Sequence, residues 1–349
     1  MKSYAFVAAL MTSAAFVPIH VHAATAEPPV FAYVANDDFN RTGFVSVINT
    51  ATNKVVADVP VGINPDAVAV TPDGKLAYVV NLGQLGTGVP PSTVSVIATA
   101  TNTVVATVPV GFFPTAAAVS PDGKSVYVVN KGSNTISVIT TATNKVVATF
   151  PVAAGDDEFG AIAFAPDGKF AYVTGTDVNG FNPGTVLVIA TATNKVVAAF
   201  GAGFSPGAIA VTPDGKFAYV ITASEDGAVG VAGVAVINTA TNQVVKTIPV
   251  GGAPIGVAIT PDGNFAYVTN GAGVLVIATA TNKVVATVPV LGANGVAITP
   301  DGKLAYIGSG NAFEINPITK LTVIDTATNK VVTAVPGAGG PAVGIAPPG

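Results

Sequence analysis

The sequence contains no cysteine and no tryptophan, and its only methionines and histidines are Met1, Met11, His20 and His22. Beyond residue 22 the chain therefore has no thiol, thioether or imidazole side chain. These absences exclude disulfides, Ser-His-Asp and Cys-His catalytic groups, histidine-based zinc or copper sites and the ordinary axial ligands of haem. Acid–base chemistry by carboxylates, or a metal bound by carboxylates, remains open.

Charge and long apolar runs are also scarce. Only 10% of the residues are charged and the net charge is −4, so we expect no nucleic acid partner. Half of the residues are hydrophobic and the mean hydropathy is +0.61, yet no apolar run after residue 23 approaches the roughly 20 residues of a membrane-spanning helix. Short apolar segments bounded by turns instead predict buried β-strands and no membrane span.

The first residues have the pattern of a secretory signal peptide. Lys2 precedes an apolar run from Ala5 to Ile19, and Val21 and Ala23 are small residues at the −3 and −1 positions of a cleavage site. A membrane anchor is disfavoured because the run is short and contains Pro18. We predict a signal peptide at 1–23, a short linker at 24–29 and one domain at 30–349. The expected location is the periplasm, or the cell surface or extracellular space.

One phrase, TATNKVV, recurs through the rest of the chain. Five verbatim copies begin at Thr50, Thr141, Thr191, Thr279 and Thr326. Near-copies begin at Thr99 and Thr239, which gives seven copies with a mean period of 46 residues. Six Pro-Asp-Gly turns and seven Tyr-Val or Tyr-Ile pairs alternate with them. A period of this size indicates a repeat architecture.

A single unit can be assigned from residue 251 to residue 290. Its first strand, Ala253–Thr260, ends in a Pro-Asp-Gly turn that leads into a second strand, Phe265–Thr269. The third strand, Gly273–Ile277, turns at the Thr-Ala-Thr-Asn phrase into the fourth, Lys283–Val290. Four antiparallel strands repeated seven times, with no helix between them, predict an all-β, seven-bladed β-propeller.

Tyr267-Val268-Thr269-Asn270 reads Y-V-T-N, and with the two recurring turns it resembles the YVTN-family propeller repeat over residues 30–349. The asparagine of the pattern is missing at Gly175, Thr222 and Ser309. The resemblance extends to the propellers of haem- and copper-bearing enzymes, and the missing ligands place this chain outside that group. The lack of histidine also weighs against lactonase- or lyase-type propellers that use one.

The two chain ends predict a closed ring. The domain begins at Phe31-Ala32-Tyr33-Val34, which matches the second strand of a unit, and ends at Pro341–Ile345, which matches a first strand. The C-terminal strand is therefore expected to complete the N-terminal blade and to remove the exposed sheet edges. An open solenoid, the alternative, fits this split blade poorly.

The antiparallel order of strands predicts two different faces. The Pro-Asp-Gly and Thr-Ala-Thr-Asn turns lie together on one face, which we call the uniform face. The second turn of each blade and the blade-to-blade connections lie on the other, the variable face. On the variable face we count ten carboxylates against three cations, Arg41, Lys131 and Lys320. Divergent loops on a rigid scaffold are where binding usually occurs.

Twelve residues of the variable face are the candidate site: Asp37, Asp38, Arg41, Phe112, Phe113, Asp156, Asp157, Glu158, Asp177, Glu225, Asp226 and Glu314. We expect them to bind a protein or a small cationic or amphipathic ligand. The run Asp156-Asp157-Glu158 is either a solvated loop or a Ca²⁺ site, and no other cofactor is expected. The protein is expected to be a monomer.

These features favour an exported, non-catalytic scaffold that binds through its variable, acidic face. One alternative is a repetitive structural protein of the cell surface or envelope. The other is a propeller hydrolase that depends on carboxylates or a metal, for which Asp37, Asp156, Asp157 and Glu225 are the candidate residues.

Overall fold

A computed structural model describes residues 29–36, 42–83, 92–152, 157–177, 183–223, 232–309 and 320–347. These residues form 27 strands and one short 3-10 helix, Lys131–Ser133, and every pair of neighbouring strands is antiparallel. The predicted signal peptide, and the predicted linker apart from residue 29, lie outside the described residues. Within the described ranges, no helix has the length and apolar character needed to cross a membrane.

The strands assemble into seven blades of four. Blade 1 contains β1 (Phe31–Asn36), β2 (Thr42–Asn49) and β3 (Lys54–Ile63); blade 2 contains β4 (Pro65–Val70), β5 (Leu76–Asn81), β6 (Thr93–Ala98) and β7 (Thr103–Pro109). Blade 3 contains β8 (Pro114–Val119), β9 (Ser125–Asn130), β10 (Thr135–Thr140) and β11 (Lys145–Pro151); blade 4 contains β12 (Asp157–Phe164), β13 (Phe170–Asp177), β14 (Gly184–Ala190) and β15 (Lys195–Gly203).

The remaining blades follow in chain order. Blade 5 contains β16 (Ile209–Val211), β17 (Phe217–Thr222), β18 (Gly233–Asn238) and β19 (Gln243–Pro249); blade 6 contains β20 (Val257–Ile259), β21 (Phe265–Thr269), β22 (Gly271–Ala278) and the first part of β23 (Lys283–Ile298). Blade 7 contains the last part of β23, β24 (Leu304–Ser309), β25 (Lys320–Asp325) and β26 (Lys330–Pro336), and β27 (Ala342–Ala346) returns to blade 1.

The seven-bladed propeller predicted from the repeat is confirmed. β23 is the outer strand of blade 6 at its start and the inner strand of blade 7 at its end, so these two blades share one continuous sheet. Closure is confirmed as well, because β27 pairs with β1 in the register Phe31↔Ala346, Tyr33↔Gly344 and Ala35↔Ala342. The first strands of the blades neighbour one another around the centre of the ring.

The hydrophobic core is divided among the seven junctions between blades. Each of seven clusters combines buried side chains from two neighbouring blades. The cluster between blades 3 and 4, for example, joins Tyr127 and Ile136 to Val173 and Leu187. Val, Ile and Tyr suit these positions because their branched or aromatic side chains pack on pleated surfaces. Stability therefore depends on every junction of the ring.

Hydrogen bonds on the uniform face explain why the Thr-Ala-Thr-Asn phrase is repeated. Within a blade, its first threonine donates to the carbonyl of the Pro-Asp-Gly glycine at 2.5–2.7 Å in blades 2 to 7, as in Thr99 to Gly74. The asparagine of all seven copies has a φ between 51° and 55°. Asparagine is the residue other than glycine that best tolerates this left-handed conformation.

The same asparagine also joins neighbouring blades. The buried tyrosine of one blade donates to the asparagine Oδ1 of the next at 2.6–3.1 Å, as in Tyr78 to Asn144. Tyr127 makes the same bond to Asn194. Burial raises the pKa of Tyr78 to about 12, so the phenol is a neutral donor at ordinary pH. Tyr306 of blade 7 donates to Asn53 of blade 1 and thereby closes the circle.

Blade 4 is the exception to this pattern. Asn242, the expected acceptor for Tyr172, has a buried Oδ1 with no hydrogen-bond partner in the described structure. Blade 4 also has Ala165 where blades 2, 3, 5, 6 and 7 have a threonine or serine before the Pro-Asp-Gly turn. Blade 4 therefore departs from the repeat on the face where the other blades agree.

Candidate functional site

The structure describes five of the twelve predicted site residues. Phe112, Phe113, Glu158 and Asp177 are described in full, and Asp157 by its backbone only. The others lie outside the described residues: Asp37, Asp38, Arg41, Asp156, Glu225, Asp226 and Glu314. All five described residues lie in blades 3 and 4 at the variable face, and that junction is the candidate site.

The connection into blade 3 is held by backbone hydrogen bonds. Lys131 N–H donates to the carbonyl of Phe113, and Gly132 N–H donates to that of Phe112, both at 3.0 Å. Phe113 adopts a φ of 54° and its own N–H donates to Ser92 Oγ at 3.2 Å. A Cβ on residue 132 would lie 2.5 Å from the Phe112 ring, so only glycine fits there. The 3-10 helix and the diphenylalanine loop therefore form one unit.

The two phenylalanines differ in exposure. Phe112 is 58% exposed, whereas Phe113 is half-buried, and their ring centroids are 6.3 Å apart. Phe112 therefore presents an apolar surface to solvent on the variable face. Such a surface suits the apolar part of a small ligand.

An ion pair connects blade 3 to blade 4 at this point. Lys131 Nζ lies 2.9 Å from Glu158 Oε2, and both side chains are partly exposed, at 36% and 47%. Lys131 is one of the three cations predicted on the variable face, but it is not among the twelve predicted site residues. Its position one residue after the second strand of blade 3, beside the innermost strand of blade 4, could have indicated the contact.

Glu158 is positioned by the start of the innermost strand, β12. Thr115 Oγ1 of blade 3 donates to the carbonyl of Gly160 at 3.1 Å, across the junction. Phe159, between Glu158 and Gly160, is fully buried. Its ring fills the space beside Gly175, where a Cβ would lie 2.5 Å from the ring. This packing explains why blade 4 has glycine where the YVTN pattern has asparagine.

The second acidic position of the junction is enclosed. Asp177 is 6% exposed, engages in an interaction of its own and lies opposite Asp157 in the β12–β13 register. Of the two carboxylates of this junction whose side chains are described, Glu158 is therefore the one exposed to solvent. Among the described residues, no group of three or more His, Cys, Asp or Glu side chains is placed to hold a metal ion. The Ca²⁺ hypothesis includes Asp156, outside those residues, and remains a prediction.

The carboxylates of the uniform face have a structural role instead. Thr212 donates a hydrogen bond that lowers the pKa of Asp214 to about 2, and Lys216 lies 3.1 Å from the same carboxylate. Asp73 and Asp122 repeat this arrangement with Thr71 and Ser120. Clefts of about 260, 450 and 540 Å³ lie between successive turns of blades 3 to 6. Because they recur from junction to junction, we assign them to the repeat rather than to a single site.

Two family models match the chain. The Choice-of-anchor I domain matches residues 3–179, about half of the chain, and the seven-bladed β-propeller lactonase model matches residues 117–284. No curated protein matches the chain. The family matches support a propeller family without singling out the YVTN repeat.

Several solved structures have the same fold, and this chain matches nearly the whole length of each. Kuenenia stuttgartiensis hydrazine synthase is 26% identical with a TM-score of 0.71, over 88% of this chain and 99% of that one. A functionally unknown protein from Desulfotomaculum acetoxidans is 20% identical with a TM-score of 0.72, over 91% and 99%. The periplasmic gluconolactonase of Pseudomonas aeruginosa is 17% identical with a TM-score of 0.71, over 92% and 100%.

These matches correct the functional interpretation of the sequence. A non-catalytic scaffold was the favoured interpretation, and it is wrong, because the match to the lactonase model favours the hydrolase alternative. The lack of histidine was expected to weigh against lactonase-type propellers that use one, yet the lactonase model matches this chain. The matched segment 117–284 contains no histidine, so a hydrolase of this kind needs a different base.

Proposed function

Because the chain belongs to the Choice-of-anchor I domain family and also matches the lactonase propeller model, we propose that it hydrolyses a lactone. The site is the junction of blades 3 and 4, with Glu158 and Lys131 as the catalytic residues. The observation that carries the proposal is their contact of 2.9 Å at a solvent-accessible point inside the segment matched by the lactonase model.

The ion pair supplies the two groups that ester hydrolysis needs. The Glu158 carboxylate accepts a proton from water as the water oxygen attacks the lactone carbonyl carbon. The Lys131 ammonium lies beside the negative charge that develops on the carbonyl oxygen. The ring C–O bond then breaks, and the leaving alkoxide takes the proton from Glu158, which yields a hydroxy acid. No histidine is required.

Two further features complete the proposal. Phe112 offers its exposed ring to the apolar face of the substrate.

The signal-like segment at 1–23 and the periplasmic gluconolactonase of the same fold support export, with action in the periplasm or at the cell surface. We retain the YVTN-type repeat as our description of the blade sequence, and Ca²⁺ at Asp156, Asp157 and Glu158 as a ligand to be tested.

The test is a pH-stat assay of the purified protein on five- and six-membered lactones. We expect Glu158→Gln to lower kcat/KM at least 100-fold, in the range for loss of a general base, and Lys131→Gln to lower it at least 10-fold. The matched control is Lys75→Gln, which breaks the ion pair between Lys75 and Asp73 on the uniform face and should leave kcat/KM unchanged.

All three variants should melt within about 2 °C of the wild type, since exposed ion pairs contribute little to stability. Hydrolysis by wild type no faster than the uncatalysed reaction, or full activity in Glu158→Gln, would refute the proposal. Repeating the assay with EDTA and with added Ca²⁺ tests the metal, because a bound Ca²⁺ would make the rate or the Tm respond to the chelator.

A further inference from the structure

The outermost strands carry most of the exposed apolar side chains of the molecule. In every blade a β-bulge occurs at the second valine of the repeated phrase, which has no partner in the neighbouring strand. These seven valines are 51–63% exposed: Val56, Val105, Val147, Val197, Val245, Val285 and Val332. The preceding valine is also exposed in six blades, so thirteen exposed valines encircle the propeller.

A lysine stands beside these valines in five blades. Lys54, Lys145, Lys195, Lys283 and Lys330 directly precede the valine pairs and are exposed, whereas blades 2 and 5 have the neutral Thr103 and Gln243. None of the five lysines forms an ion pair within the described part of the chain. We call the five lysines and thirteen valines the valine rim.

The lysines of the neighbouring turns behave differently. Lys75, Lys124, Lys169, Lys216 and Lys303 each lie 3.1–3.7 Å from the aspartate of their own Pro-Asp-Gly turn. These pairs add no net charge to the face. Within the described residues Asp262 and Asp325 have no lysine partner, so between the turns and the rim five unpaired lysines stand against two unpaired carboxylates, an excess of three positive charges.

The rim lies at one edge of the molecule. Each outer strand begins directly after the Thr-Ala-Thr-Asn turn, and that turn is bonded to the Pro-Asp-Gly turn of its blade. Lysines and valines therefore share the periphery of the uniform face. Seven similar positions around a ring allow many weak contacts to one extended surface at the same time, which multiplies their effect.

We propose that the valine rim docks the propeller on an anionic lipid surface, with the uniform face towards the lipid. The unpaired lysines match anionic headgroups, each contributing favourably near such a surface, and the exposed valines suit its apolar boundary. A second copy of the chain is the less favoured occupant, because two rims would bring like charges together and the bulges obstruct edge-to-edge strand pairing. The proposal does not depend on the hydrolase activity.

The test is sedimentation of the full protein with vesicles of phosphatidylcholine alone or mixed with phosphatidylglycerol. We expect binding only to the mixed vesicles. The variant Lys54→Gln/Lys145→Gln/Lys195→Gln should bind at least tenfold less. Its matched control, Asp73→Asn/Lys75→Gln/Asp122→Asn/Lys124→Gln, removes two ion pairs of the same face without changing its net charge and should bind within twofold of wild type.

A third variant separates charge from apolar contact. Val56→Thr/Val147→Thr/Val197→Thr keeps the β-branched shape and the charge, and we expect it to bind at least threefold less than wild type. Absence of binding to mixed vesicles, an equal loss in the control, or full binding by the threonine variant would overturn the proposal. Self-association without lipid that the threonine variant abolishes would assign the rim to a second copy instead, and would also overturn it.

Discussion

The uniform and variable faces of the propeller are built from the same blades but differ in how far the blades agree. On the uniform face the turns repeat almost letter for letter, and six of the seven junctions share one tyrosine–asparagine bond. On the variable face the position of the YVTN asparagine holds Asn, Gly, Thr or Ser, and the loop sequences differ. The difference indicates that repetition maintains the contacts between blades, and the proposed catalytic residues lie where the repetition fails.

Blade 4 shows both sides of this contrast. On the uniform face its Tyr172 does not donate to Asn242 of blade 5, and on the variable face it has Gly175, buried Phe159 and the exposed Glu158. Glu158 is also linked to blade 3 by Lys131. The blade that fits the repeat least is the one that contributes the candidate catalytic carboxylate.

The largest expected effect comes from removing the strand on which both faces depend. Deletion of residues 341–349 removes β27, the inner strand of blade 1, and leaves β1 without that partner. We expect the shortened protein to unfold or aggregate, because an open ring exposes a sheet edge and two blade surfaces. Thermal melting and size-exclusion chromatography measure this directly. A deletion variant that melts like the full chain would contradict the closed ring.

A smaller loss of stability is expected from removing a single tyrosine–asparagine hydrogen bond on the uniform face. Tyr306→Phe removes the bond to Asn53, at 2.6 Å, and should lower the free energy of unfolding by about 1 kcal/mol. Tyr172→Phe is the internal control, because Asn242 receives no such bond, and it should cost less than about 0.5 kcal/mol. Chemical denaturation of both variants gives the comparison. Equal losses would mean that the tyrosine–asparagine bond is not what joins the blades.

The smallest effect concerns the buried layer beneath the variable face. Asn130 donates to Thr135 and Ser137 at 3.1 and 2.9 Å, whereas Ser309 Oγ and Thr322 Oγ1 of blade 7 are buried without a partner in the described structure. Ser309→Asn should restore the bond to Thr322 and raise the free energy of unfolding by about 0.5 kcal/mol.

The converse substitution serves as the control for that prediction. Asn130→Ser should destabilise blade 3 by about 1 kcal/mol, since it removes both bonds made by the asparagine amide. Urea unfolding measures whether each substitution raises or lowers the free energy of unfolding. A destabilised Ser309→Asn protein would mean that steric fit, and not hydrogen bonding, determines the residue at this position.

The sequence was sufficient to predict the fold because recognisable turn motifs recur at regular intervals along the chain. Pro-Asp-Gly and Thr-Ala-Thr-Asn bounded every strand, and the split ends of the chain predicted the pairing of β27 with β1. The bond from Tyr78 to Asn144 was not predicted, because it joins residues 66 positions apart whose proximity depends on how blades pack. The recurrence of the tyrosines in every blade did not reveal that they donate hydrogen bonds between blades.

The site was predicted only in part for a related reason. Clustered carboxylates and paired phenylalanines, which stand out in a repetitive chain, indicated the junction of blades 3 and 4, where we place the proposed site. Lys131 was left out because a single lysine has no distinguishing pattern, and its partner Glu158 is in another blade. The functional reading failed because the absence of histidine was given more weight than the presence of a solvent-accessible carboxylate.

The bond between Tyr306 and Asn53 connects the last blade to the first with the same chemistry used between the blades that follow one another in sequence. The ring consequently has no mechanical seam between its last and first blades, and the junction that lacks this bond is the one between blades 4 and 5. A circularly permuted chain, with new termini in one Pro-Asp-Gly turn and the old ones joined, would present the same set of joints. In this architecture, the order in which the blades are synthesised is separable from the order in which they support one another.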